Sequence, residues 1–210
     1  MIKKYFKKFK KLVNLIARRR INKKDAERLE NKDMTVIASS CIGCITLHDL
    51  GCKFNSPFVN LYIAAEGFVK LLKDFDHYMN SEFTFIETKE SYPVALLDDV
   101  EIHFMHYRDA EHVTTEWNRR KERIDLSNCF VIFTDRDGCT KEILQEFDNL
   151  PYENKVVFTN KEYPDIKSSY YIKGFENEES VGRLYEFTGW NGKRHYDAFD
   201  FVSWFNKGKK

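Results

Sequence analysis

The stretch Asn128-Cys-Phe-Val-Ile-Phe-Thr-Asp-Arg-Asp-Gly-Cys-Thr140 decides how the chain folds. Its first half is a short apolar run rich in β-favouring residues. Its second half is a turn carrying Asp135, Arg136, Asp137 and Gly138. An apolar run closed by a turn reads as a buried strand. Open α/β sheets bind ligands at the carboxyl ends of their strands, so two carboxylates and an arginine delivered there mark a candidate site.

Outward from that strand, the periodicity alternates between two patterns. Residues 34–40, 58–63, 83–87, 94–97, 100–106, 155–159 and 170–173 read as strands. In the 100–106 run, Val100, Ile102 and Phe104 alternate with Glu101, His103 and Met105, the period of a half-covered strand. Residues 64–79, 109–124, 140–147, 178–185 and 198–206 read as helices, with Thr140 as an N-cap. Residues 41–57 read as a turn-rich loop bearing cysteines. Alternating strands and helices predict an α/β fold with a mixed or parallel sheet flanked by helices.

A basic amphipathic helix precedes this body. Residues 1–24 hold 11 Lys and Arg and no acidic residue, while the remaining 186 hold 23 basic against 33 acidic residues, a net of −10. The acidic body excludes a general nucleic-acid surface, so no nucleic-acid partner is expected. Ile2, Phe6, Phe9, Val13 and Ile16 recur at helical spacing, with Tyr5 and Leu12 beside them and lysines on the other face. Two readings of the stripe stand: a helix lying on the anionic inner leaflet, or one packed on its own domain or a second subunit. The expected division is a helical segment over residues 1–31 and a single α/β domain over 32–210. No secretory pattern and no run of about 20 apolar residues is present. Five cysteines, an odd number, then point to free thiols in a reducing cytoplasm, with peripheral attachment to the membrane as an addition.

Several constellations carry candidate chemistry. Asp135 and Asp137 form a D-x-D pair able to hold Mg²⁺ or Mn²⁺ against a diphosphate; the competing reading is a turn that caps the next helix, with Gly138 supplying a positive φ. Trp117-Asn-Arg-Arg120 and Arg123 form a basic helix end. Arg119, Arg120, Arg123 and Arg136, with Asn118, suit a phosphate; a solvated helix end is the alternative. Cys41, Cys44, His48 and Cys52 have a spacing near that of a zinc knuckle, but structural zinc and a redox pair are both disfavoured against plain thiols, and Ser40 or Cys41 as a nucleophile served by His48 or His106 is the remaining reading. His103, His106 and His112 are acid-base candidates. Arg194 and Asp197 lie in an aromatic tail that reads as a packed terminal helix.

Trp117-Asn-Arg-Arg120, Thr134-Asp-Arg-Asp-Gly-Cys-Thr140, Phe147-Asp-Asn-Leu-Pro-Tyr152 and Lys193-Arg-His-Tyr-Asp-Ala-Phe-Asp200 together resemble a bacterial domain family of unknown function. Its members carry the label exopolysaccharide or capsule biosynthesis protein. The resemblance runs from about Thr35 to the C-terminus and implies an α/β domain working near surface-polysaccharide synthesis. It brings no catalytic assignment with it. The family pattern has Asn-Cys followed by Gly-Gly where this chain has Ser40-Cys41-Ile-Gly-Cys44, which weakens the zinc and Cys-x-x-Cys readings and leaves Cys41 of interest. The expected function is a glycosyltransferase-like transferase taking a nucleotide sugar or another phosphorylated small molecule. Asp135, Asp137, His106 and Cys41 are its catalytic candidates. A non-catalytic scaffold and a Cys/Ser-dependent acyl-type transferase are the alternatives.

Overall fold

A computed structural model describes residues 2–208, with side chains from Tyr5 onward; Ile2, Lys3 and Lys4 of the expected amphipathic pattern lie outside the described side chains. The fold is mixed α/β. Four parallel strands, β1 (Thr35–Ala38), β5 (Cys129–Thr134), β6 (Asn154–Thr159) and β7 (Ser169–Tyr171), form one sheet in the order β1-β5-β6-β7. A smaller antiparallel sheet, β2 (Phe83–Ile86), β3 (Val94–Leu97) and β4 (Val100–His103), lies within the long connection from β1 to β5.

Strand alternation divides the core in two. Ile37, Val131, Phe133 and Val157 point to one face of the parallel sheet. There they meet α3 (Ala65–Lys73), α4 (Phe75–Asn80), α5 (Ala110–Lys121), α6 (Lys141–Asp148) and the antiparallel sheet. Val36, Ala38, Phe130, Ile132, Val156 and Phe158 point to the other face, against α2 (Ile42–Asp49), α7 (Phe201–Asn206) and the aromatic tail. β1 and β5 are buried at every position, as strands covered on both faces must be.

Thr140 caps α6 by accepting a hydrogen bond from the Ile143 amide at 3.3 Å, as its position predicts. Four expectations need correction. Residues 58–63 bend at Val59 and Asn60, where Asn60 adopts φ 59°, and form only a bridge between Tyr62 and His103. The helix expected over 64–79 breaks at Asp74 (φ −130°, ψ 56°) into α3 and α4. The cysteine-bearing loop after β1 contains α2, whose Ile42, Cys44 and Leu47 are buried; this packing overrides the weak helix propensities of Gly, Cys and Thr. Residues 178–185 are not helical, because the Val181 amide bonds across the chain to the Asp135 carboxylate.

The first helix, α1 (Ile2–Arg28), is continuous, and from Asn14 onward it is clamped to the body. Asn14 donates to the Gly189 carbonyl at 2.8 Å and accepts from the Gly192 amide at 2.9 Å. Buried Arg18 pairs with Asp49 at 3.1 Å and Asp197 at 2.5 Å and donates to the Tyr196 hydroxyl. Asn22 donates to Asp49, and Arg28 pairs with Asp200 at 2.9 Å. Gly192 adopts φ +76°, and a Cβ there would come within 2.6 Å of the Arg18 backbone nitrogen. Glycine is what lets this loop approach the helix so closely.

Candidate functional site

α2 leaves β1 toward one face of the parallel sheet, where Ile42 and Leu47 are buried. α6 leaves the neighbouring strand β5 toward the other, where Leu144 and Phe147 are buried. Connections that depart from adjacent parallel strands to opposite faces open a crevice at the strands' carboxyl ends, the usual ligand position of open α/β sheets. A cleft of about 670 Å³ lies at that point. Ser40 and Cys41 enter it from the end of β1, Thr134, Arg136 and Asp137 from the end of β5, and Met105 and His106 from beyond β4. The segment Gly182–Tyr185 closes the remaining side.

The two carboxylates of the D-x-D turn part company. Asp135 is buried, and both of its oxygens accept backbone N–H groups at 2.7 Å, Oδ2 from Asn160 and Oδ1 from Val181. Burial raises its pKa, against the lowering effect of those two amides. It is not among the residues that line the cleft. Asp135 is therefore an anchor for the 175–182 segment, and of the two carboxylates only Asp137 lines the cleft. Among the described residues, no three His, Cys, Asp or Glu side chains are grouped to hold a metal. The residues present do not fit a D-x-D metal centre. Asp137 does face the cleft, in a left-handed conformation (φ 57°) that Asp tolerates better than most residues. Its carbonyl accepts from the Ala65 amide at 3.1 Å, tying the turn to the start of α3. Gly138 follows at φ 85°, as the turn reading expects, and does not line the cleft.

All five cysteines are free thiols. Cys41 is the N-cap of α2 and lines the cleft; Cys44 is buried one turn inside. The two thiols interact. A hydrogen bond with Cys44, then burial, pushes Cys41 up, while the same bond and nearby backbone amides push Cys44 down to about 7. The cleft-facing thiol is thus the harder of the two to ionise, which counts against Cys41 as a resting nucleophile. The knuckle spacing does not close on itself. His48 is 82% exposed beside Asp49, while Cys44 is buried against Asn60.

The arginines at the end of α5 and just beyond it are held by neighbouring groups. Arg119 pairs with Glu116, and Arg120 pairs with Glu116 while donating to the Tyr107 hydroxyl at 2.8 Å. Arg123 donates to the Phe54 carbonyl at 3.2 Å. Trp117 is in the core against Phe58, Phe83 and Phe104, and Asn118 is exposed. None of these residues lines the cleft. Arg136 is the one arginine of that expected set that does line it.

Among the histidines, His106 is exposed and lines the cleft. His103 does not line it and is stacked on Tyr62 with ring centroids 4.2 Å apart and bonded to Glu101 at 2.8 Å. The ring nitrogen of His112 accepts from the Arg108 amide at 3.4 Å. Arg194 and Asp197 belong to the network that holds α1: Arg194 pairs with Asp49 at 3.1 Å, and Asp197 with Arg18. That network borders a second cavity of about 400 Å³, where Arg18 pairs with Asp49 and Asp197 and Arg28 with Asp25 and Asp200 to join α1 to the body.

Sequence reasoning missed Tyr62, Arg183 and Tyr185. Tyr62 reaches the cleft because the bridge to His103 fixes its backbone. Burial, with Asp137 and Glu101 nearby, raises its pKa and keeps the phenol protonated. Arg183 and Tyr185 reach the cleft because Asp135 and Asn160 hold the preceding segment; the Asn160 amide donates to the Glu178 carbonyl at 2.5 Å. The carboxylates nearest Arg136 and Arg183 stand at 4.0 Å, Asp137 and Glu186 respectively. These guanidiniums are thus more loosely held than those of α5, and they face the same space.

Residues 12–206 match the family profile described as Domain of unknown function (DUF1919). The chain belongs to this family. A Haemophilus influenzae protein described as "Uncharacterized protein" is 50% identical over 201 residues, covering 96% of this chain and 98% of the relative. The DUF1919 match begins inside α1 just before Asn14, so it takes in the clamped part of the helix as well as the cleft.

Proposed function

We propose that the cleft binds a nucleotide sugar and that the protein is a glycosyltransferase-like transferase of bacterial surface-polysaccharide assembly. The carrying observation is that Arg136 and Arg183 both line a crevice at the carboxyl ends of β1 and β5, together with Asp137 and His106. Two loosely held guanidiniums suit the two phosphates of a nucleoside diphosphate. Tyr62 and Tyr185 give apolar faces for a ring, and His106 or Asp137 accepts a proton from the acceptor hydroxyl. In the transfer, the acceptor oxygen bonds to the anomeric carbon as the bond to the diphosphate oxygen breaks. The diphosphate leaves with the electron pair, and the arginines stabilise its charge. The polysaccharide setting rests on the resemblance of the motifs at 117–120, 134–140, 147–152 and 193–200. The raised Cys41 thiol gives the acyl-transfer alternative less support.

The test is thermal unfolding with a panel of nucleotide sugars and bare nucleotides, on wild type and on Arg136→Ala and Arg183→Ala. A ligand at 100 times its Kd adds about 2.7 kcal/mol, a rise of roughly 5–10 °C for a chain of this size. Both variants lose that rise while keeping the unliganded transition. A wild type that responds to no member of the panel, even at high ligand, overturns the donor assignment and returns the protein to the scaffold reading.

A further inference from the structure

α1 has two unlike long faces. The face on the body is polar, set by Asn14, Arg18 and Asn22. On the opposite side Tyr5, Phe9, Leu12 and Ile16 follow at intervals of four, three and four residues, one continuous helical stripe. All four are between 50% and 66% exposed, and Phe6 and Leu15 beside them are exposed as well. Of the two sequence readings of this stripe, packing on its own domain is therefore set aside. The only aromatic ring of the body that leans on it, among the described residues, is Trp190, 5.3 Å from Phe6 and 6.3 Å from Phe9, and Trp190 is itself 42% exposed. Lys10 lies over that indole at 5.7 Å.

A run of large apolar residues left in water on one helix face marks a contact surface. The charges around it choose the occupant. Lys8, Arg19 and Arg20 are exposed and flank the stripe at helical spacing, Lys7 and Lys11 are exposed on the other side of the helix, and no acidic residue occurs before Asp25. Two copies meeting through this face would bring two such cationic sets together without compensation. An anionic lipid surface complements both properties at once. Headgroup charge meets Lys8, Arg19 and Arg20 at the borders of the stripe, and the acyl boundary receives the aromatic and aliphatic side chains. An indole at the end of the stripe is the residue expected at a headgroup boundary. No helix among the described residues is long and apolar enough to cross a membrane.

We propose that the first half of α1, together with Trp190, docks the protein on an anionic bilayer surface. Trp190 sits at the tip of a hairpin in which Phe187 bridges Arg194 and which Asn14 grips at Gly189 and Gly192. The base of that hairpin is the cleft wall formed by Gly182–Tyr185. One loop thus joins the lipid-facing patch to the cleft. The docking rests on α1 and Trp190 and stands whether or not the cleft takes a nucleotide sugar.

The experiment uses the full chain, because deleting residues 1–24 would also remove the Asn14 and Arg18 clamps. Flotation is measured with phosphatidylcholine vesicles and with vesicles carrying about 30% phosphatidylglycerol. Wild type floats with the anionic vesicles only, and added salt weakens the association. In the double variant Phe9→Glu, Leu12→Glu, binding falls at least ~10-fold, while the unfolding transition is unchanged because both side chains are more than half exposed. Of the three tryptophans, Trp117 and Trp204 are buried, so brominated anionic lipid quenches Trp190 selectively. Failure of wild type to float, equal flotation of the double variant, or an unquenched Trp190 overturns the proposal. So does a wild-type dimer in sedimentation equilibrium that the same double variant dissociates, since that result gives the stripe to a second copy.

Discussion

Replacing Asp135 with alanine separates two accounts of the Asp135-Arg136-Asp137 turn. If the turn were a metal-holding pair, Asp135→Ala and Asp137→Asn would both abolish metal-dependent ligand binding and leave the fold alone. The geometry requires something else. Asp135 accepts two backbone N–H groups at 2.7 Å in a buried setting, so alanine leaves both donors without a partner. Each unsatisfied buried donor costs about 1–3 kcal/mol, or about 2–6 kcal/mol for the pair. Removing the carboxylate also removes the burial penalty that raises its pKa, which offsets part of that cost. The net loss is about 3 kcal/mol, a fall of roughly 6–12 °C in Tm for a chain of this length. Asp137→Asn keeps a residue that tolerates φ 57° and loses no buried partner, so it stays within about 0.5 kcal/mol of wild type.

The two variants are compared by thermal and urea unfolding followed by circular dichroism. The pH dependence carries a second signature. Because the folded pKa of Asp135 lies above its unfolded value, the group's contribution is complete below the ordinary carboxylate pKa. It declines as pH rises toward the raised value. The stability gap between wild type and Asp135→Ala is therefore wider near pH 4 than at pH 7. An Asp135→Ala protein that unfolds like wild type, and loses a Mn²⁺-dependent response together with Asp137→Asn, would refute the anchor assignment and restore the paired-carboxylate site.

Three further outcomes follow from named contacts. Arg18→Leu takes from the half-buried Asp197 and Asp49 the cation they share, leaving Asp49 only Arg194, and costs about 3 kcal/mol in urea unfolding; a change under about 1 kcal/mol would mean that α1 is held by other contacts. Gly192→Ala places a Cβ within 2.6 Å of the α1 backbone at φ +76° and destabilises by at least about 2 kcal/mol by the same assay, whereas a neutral result would show that the hairpin can move off the helix. Cys44→Ala removes the hydrogen bond that does most to raise the Cys41 pKa, so alkylation of Cys41 at pH 8, followed by mass spectrometry, becomes faster; an unchanged rate would place the cause in burial instead.

The parts of this molecule that were legible in the sequence are those whose cause is local. β5 announced itself because both of its faces are covered, so a continuous apolar run was inevitable, and the turn after it exposed Arg136 and Asp137 for the same reason. Thr140 capped α6 because an N-cap needs only its own amides three residues on. What was hidden depended on partners far along the chain. Asp135 reads as a twin of Asp137 until Val181, 46 residues later, donates to it. The α5 arginines look available until Glu116, Tyr107 and the Phe54 carbonyl are found to hold them. Arg183 carried no motif at all, and it lines the cleft only because the segment before it is pinned by Asp135 and Asn160. The same logic explains α1. Its periodicity showed a stripe but not its cover, and the answer lay in Asn14 and Arg18, two polar residues inside a basic run, which turn the other face of the helix to the body. A buried arginine with two carboxylate partners fixes the rotation of a helix more firmly than an apolar stripe does, because leaving it unpaired costs several kcal/mol, whereas a stripe left in water keeps its freedom to find another surface.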